Sequence, residues 1–340
     1  MSGPARADPW GRPVLVAPDS FKGTFTAPQV AAAIGRGLER AGVWPPPDLC
    51  PLADGGEGTM GVLLAALGGE TGGATVTDPL GRPVPAGFAL IEDGGTAIVE
   101  VAAASGWAHV AEHERGPATA WEASTRGTGE LIAAAVDAGA AVVLVCAGGS
   151  ATTDGGAGAI AAIEERGGLR GAALVVLCDV RIPFERAADV FGPQKGADAA
   201  TVARLAARNA AFGRTLPRSP FGVRGGGAAG GLAGGLHGAY GATLEPGAAF
   251  VLDALDADAR MRAARAVVVG EGRLDRTSLE GKIAGELAIR ARQAGVPAHA
   301  VVGQAAVDPF EVRILDLQVI AEATTLPEIE AAGERIAQHL

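Results

Sequence analysis

Short β-branched apolar runs recur along the chain, each followed by polar, glycine-bearing residues: Val14 to Ala17, Ala141 to Cys146, Leu174 to Cys178, Ala266 to Val269 and His299 to Val302. Apolar runs without polar alternation mark strands buried on both faces, as in parallel sheets covered by helices. Between them the period becomes helical. Thr26 and Gln29 form a capping box, Val30, Ile34 and Leu38 share one helical face, and Gly42 closes the run. A second helix is expected from about Gly129 to Ala138, opening after Thr128 and stopping at Gly139. Thr277 and Glu280 form another capping box, which places Lys282 in the first turns of a helix running to about Arg292, and a last helix runs from about Pro327 to His339. The stretch from Val76 to Val101 alternates and turns like antiparallel strands. Gly225 to Ala242 is rich in glycine yet carries Leu232, Leu236 and Tyr240 at helical spacing, so it reads as a glycine loop opening a closely packed helix.

These elements predict an α/β fold. At 340 residues the chain exceeds the usual size of a single core, so two domains are expected. One is a parallel, flavodoxin- or Rossmann-like three-layer sandwich formed discontinuously by residues 1–75 and 255–340; the other is a mixed-sheet domain, residues 76–254, inserted in it. Hydrophobic residues at 48% supply the core, and 52 glycines against 14 aromatics leave Ala, Val, Leu and Ile to build it. A net charge of −10 disfavours duplex nucleic acid and anionic membranes as partners, since both reward basic surfaces, and points to small-molecule chemistry. The cysteines Cys50, Cys146 and Cys178 are odd in number and unclustered, which predicts buried thiols rather than disulfides or zinc. The first residues lack an apolar signal region and no apolar stretch is long enough to span a bilayer, so a cytoplasmic location is expected.

Of 28 lysines and arginines only three are lysine, Lys22, Lys195 and Lys282, and each adjoins a glycine. A compact ammonium beside backbone that can approach closely suits a phosphate or a small carboxylate. Five glycine-bearing loops stand out: PDSFKG from Pro18, ADGGEGT from Ala53, GGSATTDGGAG from Gly148, FGPQKGA from Phe191 and GEGRLD from Gly270. They supply Asp19, Asp54, Glu57, Asp154, Glu271 and Asp275 together with hydroxyls and backbone N–H groups, the inventory that phosphoryl transfer needs. Competing motifs are weaker. Gly225, Gly227 and Gly230 fit a dinucleotide fingerprint, as do Gly156, Gly158 and Ala161 in its alanine form, but neither directly follows a strand. The EGKI segment at Lys282 is no P-loop, because Ile283 stands where Ser or Thr is required. His109 and His113 lack the glutamate of a zinc protease helix and read as surface residues, His237 reads as packed, and no G-x-S-x-G elbow occurs.

Read in order, APDSFKGTFTA, PLADGGEGT, EVAAASG, GTGELI, GGSATTDGGAGAI, FGPQKGA, GAAGGL and GEGRLDRTSLEGK resemble the type I glycerate kinases, the glycerate 2-kinase family, over nearly the whole chain. The resemblance implies ATP- and Mg²⁺-dependent phosphorylation of D-glycerate to 2-phosphoglycerate, in the cleft between two α/β domains of a monomer or homodimer. Two departures stand out: the region from Gly168 to Asp189 is shorter than the family pattern, and Thr153 replaces the usual Asn. On this reading Asp19, Ser20 and Lys22 form the acceptor side, with Lys22 or Arg273 on the glycerate carboxylate and Asp154 or Asp179 orienting the attacking hydroxyl. The ATP phosphates are expected against Gly148, Gly149, Ser150, Thr152, Gly227, Gly230 and Lys195, with Lys282 as a further cation, and Mg²⁺ at Asp54, Glu57 and Asp275. The rival readings are transfer to the 3-hydroxyl, a nicotinamide-dependent oxidoreductase resting on the glycine fingerprints, and a non-catalytic hydroxy-acid binding protein.

Overall fold

The computed structural model describes residue 8, residues 10–280 and residues 282–340, without the side chains of residues 277 and 280. Among the described residues eleven strands form two sheets: β1 (Val14–Pro18), β2 (Asp48–Leu49), β3 (Glu70–Thr77), β4 (Pro83–Ile91), β5 (Thr96–Glu100), β6 (Val142–Ala147), β7 (Ala173–Cys178), β8 (Thr243–Pro246), β9 (Ala266–Leu274), β10 (Ala298–Ala305) and β11 (Leu317–Glu322). The chain divides into two compact units, Met1–Asp54 with Ala248–Leu340 and, inserted between these segments, Gly55–Gly247.

In the first unit all neighbouring strands are parallel, in the order β11-β10-β9-β1-β2. Counted within the unit this is the doubly wound order 2-1-3-4-5, whose direction of winding reverses between its first and third strands. Here that point lies between β1 and β9. All five residues of β1 are buried, as the unbroken apolar run requires. The helix Ala27–Arg40 starts at the Thr26 and Gln29 capping box and buries Val30, Ile34 and Leu38. It packs on the helix Leu326–Ile336 so closely that a Cβ at Gly37 would lie 2.0 Å from the Glu330 carbonyl oxygen. The helix Ile283–Ala294 packs against β9 and β10.

One helix start differs from expectation. Lys282 is the N-cap of Ile283–Ala294 rather than a residue of its first turns, and Arg276–Glu280 form a short 3-10 turn. The turn is fastened by Ser278, whose N–H donates to the Asp275 carbonyl at 2.8 Å and whose hydroxyl donates to Glu271 Oε1 at 2.6 Å. The expected capping box of Thr277 and Glu280 lies outside the described side chains.

The second unit carries the mixed sheet, ordered β3-β4-β5-β6-β7-β8, antiparallel through β5 and parallel from β5 to β8. The helix Thr59–Leu67 packs on β4 and β5 of this sheet. Its N-terminal N–H groups at Gly58 and Met60 donate to the buried Glu100 carboxylate at the end of β5. The helix expected from Gly129 begins earlier, at Arg126, after Thr125. In the glycine-rich run a turn at Ala228–Gly231 opens the helix Leu232–Tyr240, which is buried throughout Leu232 to Leu236. Phe184, fully buried, packs under this run. No helix among the described residues is long and apolar enough to cross a membrane.

Candidate active site

The carboxyl ends of parallel strands β1, β9 and β10 and the segments after β2 and β11 line a cavity of about 430 Å³ in the first unit, a size usual for a small-molecule pocket at the switch point of a doubly wound sheet. Asp19, Ser20 and Lys22 follow β1, Asp54 follows β2, and Glu271 and Arg273 lie in the last residues of β9. Lys22 Nζ donates to Asp54 Oδ2 at 3.0 Å, with the lysine largely exposed and the aspartate buried. Lys282 Nζ donates to Glu271 Oε2 at 3.3 Å and stands 3.7 Å from Asp275 Oδ1. Asp275 is also 3.4 Å from the guanidinium of Arg273. Burial, and then the negative Asp54 beside it, push the Asp19 carboxyl up to about 7, against the pull of Lys22. Burial likewise raises Glu271, with Lys282 and Ser278 opposing.

A second, smaller pocket of about 100 Å³ lies in the other unit. Gly148, Gly149 and Ser150 follow β6, Asp179 follows β7, and Lys195 and Gly230 complete it. Lys195 is only 4% exposed. Its ammonium donates to Ser150 Oγ at 2.8 Å and to the Thr152 carbonyl at 2.6 Å. Burial pushes it down to about 7, with the charges of Asp179 and Asp154 opposing the shift. Gly230 must be glycine, since its φ is +69° and a Cβ would meet the Thr152 carbonyl oxygen at 2.0 Å. Glu57 is exposed, its Oε2 3.4 Å from where a Gly149 Cβ would lie.

The expected residues therefore sort by unit. Asp19, Ser20, Lys22, Arg273, Asp54 and Lys282 line the first pocket, so Lys282 stands with the acceptor-side residues rather than with the phosphate loops. Gly148, Gly149, Ser150, Lys195, Gly230 and Asp179 line the second. Thr152 is fully buried beneath the loop, and the N–H of Gly227 is spent on the Ile182 carbonyl at 2.8 Å. Asp154 faces inward. Its carboxylate accepts from Thr125 N at 2.9 Å, Thr125 Oγ1, Gly156 N at 3.1 Å and Gly158 N at 3.2 Å, leaving it little capacity for a substrate. Gly225, Gly227 and Gly230 follow no strand directly, so the strand-loop-helix frame of a dinucleotide fingerprint is missing at this run.

Two of the three expected Mg²⁺ ligands carry ion-pair partners. Asp54 is ion-paired with Lys22, Asp275 with Lys282 and Arg273, and Glu57 belongs to the other unit. Among the described residues no three His, Cys, Asp or Glu side chains are grouped to hold a metal.

Gln304 near the end of β10 and Thr324 just after β11 also line the pocket; both lay outside the expected set although the strand-end rule could have found them. Glu271, present in the loop inventory without a role, is the buried partner of Lys282. The cysteines are all buried and form no disulfide.

A sequence model described as the glycerate kinase family matches residues 14–167 and 164–340. The chain is 39% identical to a glycerate kinase of Bacillus subtilis (strain 168) over 327 residues, covering 85% of this chain and 84% of that protein. It is 34% identical to a glycerate 2-kinase of Escherichia coli (strain K12), covering 79% of each. A solved structure, "Crystal structure of putative glycerate kinase 2 from Salmonella typhimurium LT2", superposes with a TM-score of 0.78 at 32% identity, covering 97% of this chain and 98% of its own.

Proposed function

Since the chain belongs to the glycerate kinase family, we propose that it transfers the γ-phosphoryl group of ATP to the 2-hydroxyl of D-glycerate, giving 2-phosphoglycerate and ADP. The choice of the 2-hydroxyl is supported by the relative named glycerate 2-kinase. One observation carries the site assignment: Asp19, Ser20, Lys22 and Arg273, distant in sequence, line one cavity at the carboxyl ends of a parallel sheet.

In this pocket Lys22 and Arg273, both largely exposed and paired with Asp54 and Asp275, hold the glycerate carboxylate. Ser20 offers a hydroxyl to the substrate. The ATP phosphates lie against the pocket of the second unit, where Gly148 and Gly149 allow close backbone approach and Lys195 supplies a buried cation held in place by Ser150 and Thr152. Asp154 acts on the loop rather than the substrate, tying Gly156 and Gly158 to Thr125. Magnesium bound with the nucleotide would offset charge on its phosphates.

A coupled assay of ADP release with D-glycerate and MgATP, followed by phosphorus NMR of the product, tests the proposal. ADP release dependent on glycerate, with a product signal matching 2-phosphoglycerate, is expected. A 3-phosphoglycerate signal overturns the choice of hydroxyl, and absence of ADP overturns ATP as donor.

A further inference from the structure

Three buried carboxylates line the pocket of the first unit, and they differ in what already holds them. Asp54 accepts from Lys22 at 3.0 Å. Glu271 accepts from Ser278 at 2.6 Å and Lys282 at 3.3 Å. Asp19 is bound only through Oδ1, by the N–H of its own neighbour Ser20 at 2.6 Å; among the described residues no donor holds Oδ2. The residue is nonetheless 7% exposed, and it faces the cavity. Its backbone is fixed, because its N–H donates to the Gly270 carbonyl of β9 at 2.8 Å, which pins the loop at the point where the winding of the sheet reverses.

A general base needs a lone pair within reach of the substrate and a rigid mount, and it must not be neutralised by a tight cation. Only Asp19 in this pocket meets all three conditions. We infer that Asp19 is the catalytic base of the phosphoryl transfer, its Oδ2 taking the proton of the attacking glycerate hydroxyl. The inference rests on the proposed reaction and adds to it the group that neither Asp154, saturated by loop donors, nor substrate binding alone supplies. In the step the hydroxyl oxygen forms the new O–P bond, the bond from γ-phosphorus to the β,γ-bridging oxygen breaks, and ADP leaves with the electron pair. The hydroxyl proton passes to Asp19 and then to solvent. The charged groups around Asp19 are Lys22, Asp54, Glu271, Arg273 and Lys282. Its upward shift to about 7, from burial and then Asp54, fits a base working near neutral pH.

The test compares the full-length protein with its Asp19→Asn and Asp19→Glu variants, measuring kcat, KM for D-glycerate, the pH profile and the Mg²⁺ concentration for half-maximal rate. Asp19→Asn is expected to lower kcat by about 10²- to 10⁴-fold with KM changed only a few-fold. The wild-type acid limb near pH 7 should vanish in this variant and return, displaced, in Asp19→Glu, which also guards against misreading a folding defect. A profile unchanged in Asp19→Asn overturns the inference by placing the base elsewhere. A rise of tenfold or more in the Mg²⁺ requirement overturns it by making Asp19 a metal ligand. Wild-type protein that releases no ADP with D-glycerate removes the proposed reaction and this inference together, a result separate from the other two.

Discussion

Asp154 separates a loop-building carboxylate from a chemical one. The sequence makes it a candidate for orienting the attacking hydroxyl, whereas the folded loop surrounds it with donors. Replacement by Asn is close to isosteric and puts an NH₂ where one oxygen was. If that group takes the place of Oδ1, the N–H of Gly156, now 3.1 Å from its acceptor, faces another donor. A buried donor left without an acceptor costs about 1–3 kcal/mol. The bonds from Thr125 N at 2.9 Å and Gly158 N at 3.2 Å, and one from Thr125 Oγ1, survive but become neutral. Each weakens by about 1 kcal/mol, the difference between hydrogen bonds to charged and to neutral groups. The expected loss is about 4–6 kcal/mol, which for a unit of this size lowers Tm by about 8–24 °C.

Scanning calorimetry and urea unfolding of Asp154→Asn, with kcat measured well below the transition, check this. The midpoint should fall by that amount while the folded fraction keeps kcat within a few-fold of wild type. Thr125→Val should reproduce most of the loss, because the Thr125 hydroxyl also accepts from Ala159 N at 3.0 Å. A variant with an unmoved midpoint and a kcat reduced a hundredfold would refute the reasoning and return Asp154 to the chemistry.

Three further outcomes follow from buried groups and close backbone contacts. His299 is buried on β10, neither ring nitrogen hydrogen-bonded among the described residues, and burial holds it down to about 4 against an ordinary 6.5. The unfolded chain therefore takes up a proton that the folded chain refuses, so stability is complete above about pH 6.5 and falls by up to about 3 kcal/mol as pH drops towards 4. Urea midpoints of wild type and His299→Leu should diverge in pH dependence over that window; parallel curves would exclude the residue as the source. Lys195, pushed down to about 7 by burial, should bind polyphosphate best when protonated. Nucleotide affinity measured by calorimetry should weaken as pH rises above about 7, and Lys195→Met should abolish that slope. A Cβ at Gly235 would lie 2.1 Å from the Gly155 carbonyl oxygen, whereas at Gly58, with φ of +93°, it meets open space. Gly235→Ala should cost about 3 kcal/mol by forcing backbone apart, and Gly58→Ala about 1 kcal/mol from φ alone; equal losses in thermal unfolding would mean that the glycine-rich helix is not closely packed.

Much of the fold was legible because its signals are local. The apolar run of β1 is buried at every position, and the capping box at Thr26 sets the start of its helix. Elements with little local signal escaped notice. β2 has two residues, and β11 is only partly buried along its length. The glycine-rich run could be read as packed helix because Leu232 and Leu236 keep helical spacing, and both are buried.

Site residues were legible as a set, since they follow strand ends, but their roles were not. Asp54 and Asp154 show why. Both open a DGG sequence, with Gly55, Gly155 and Gly156 at positive φ. After Asp154 the helix begins at Ala157, so the carboxylate can reach the N–H groups of Gly156 and Gly158 and closes on them. After Asp54 the helix begins later, at Thr59, and its N-terminal N–H groups are taken by Glu100 from another strand. Asp54 is thereby left for Lys22, a partner 32 residues away. Identical tripeptides part because of where the next helix starts and which distant side chain arrives first at its N–H groups. Gly55, Gly56 and Gly58 stand at the same spacing after Asp54 as Gly155, Gly156 and Gly158 after Asp154, so the glycines do not carry the first difference; the second exists only once β5 has delivered Glu100.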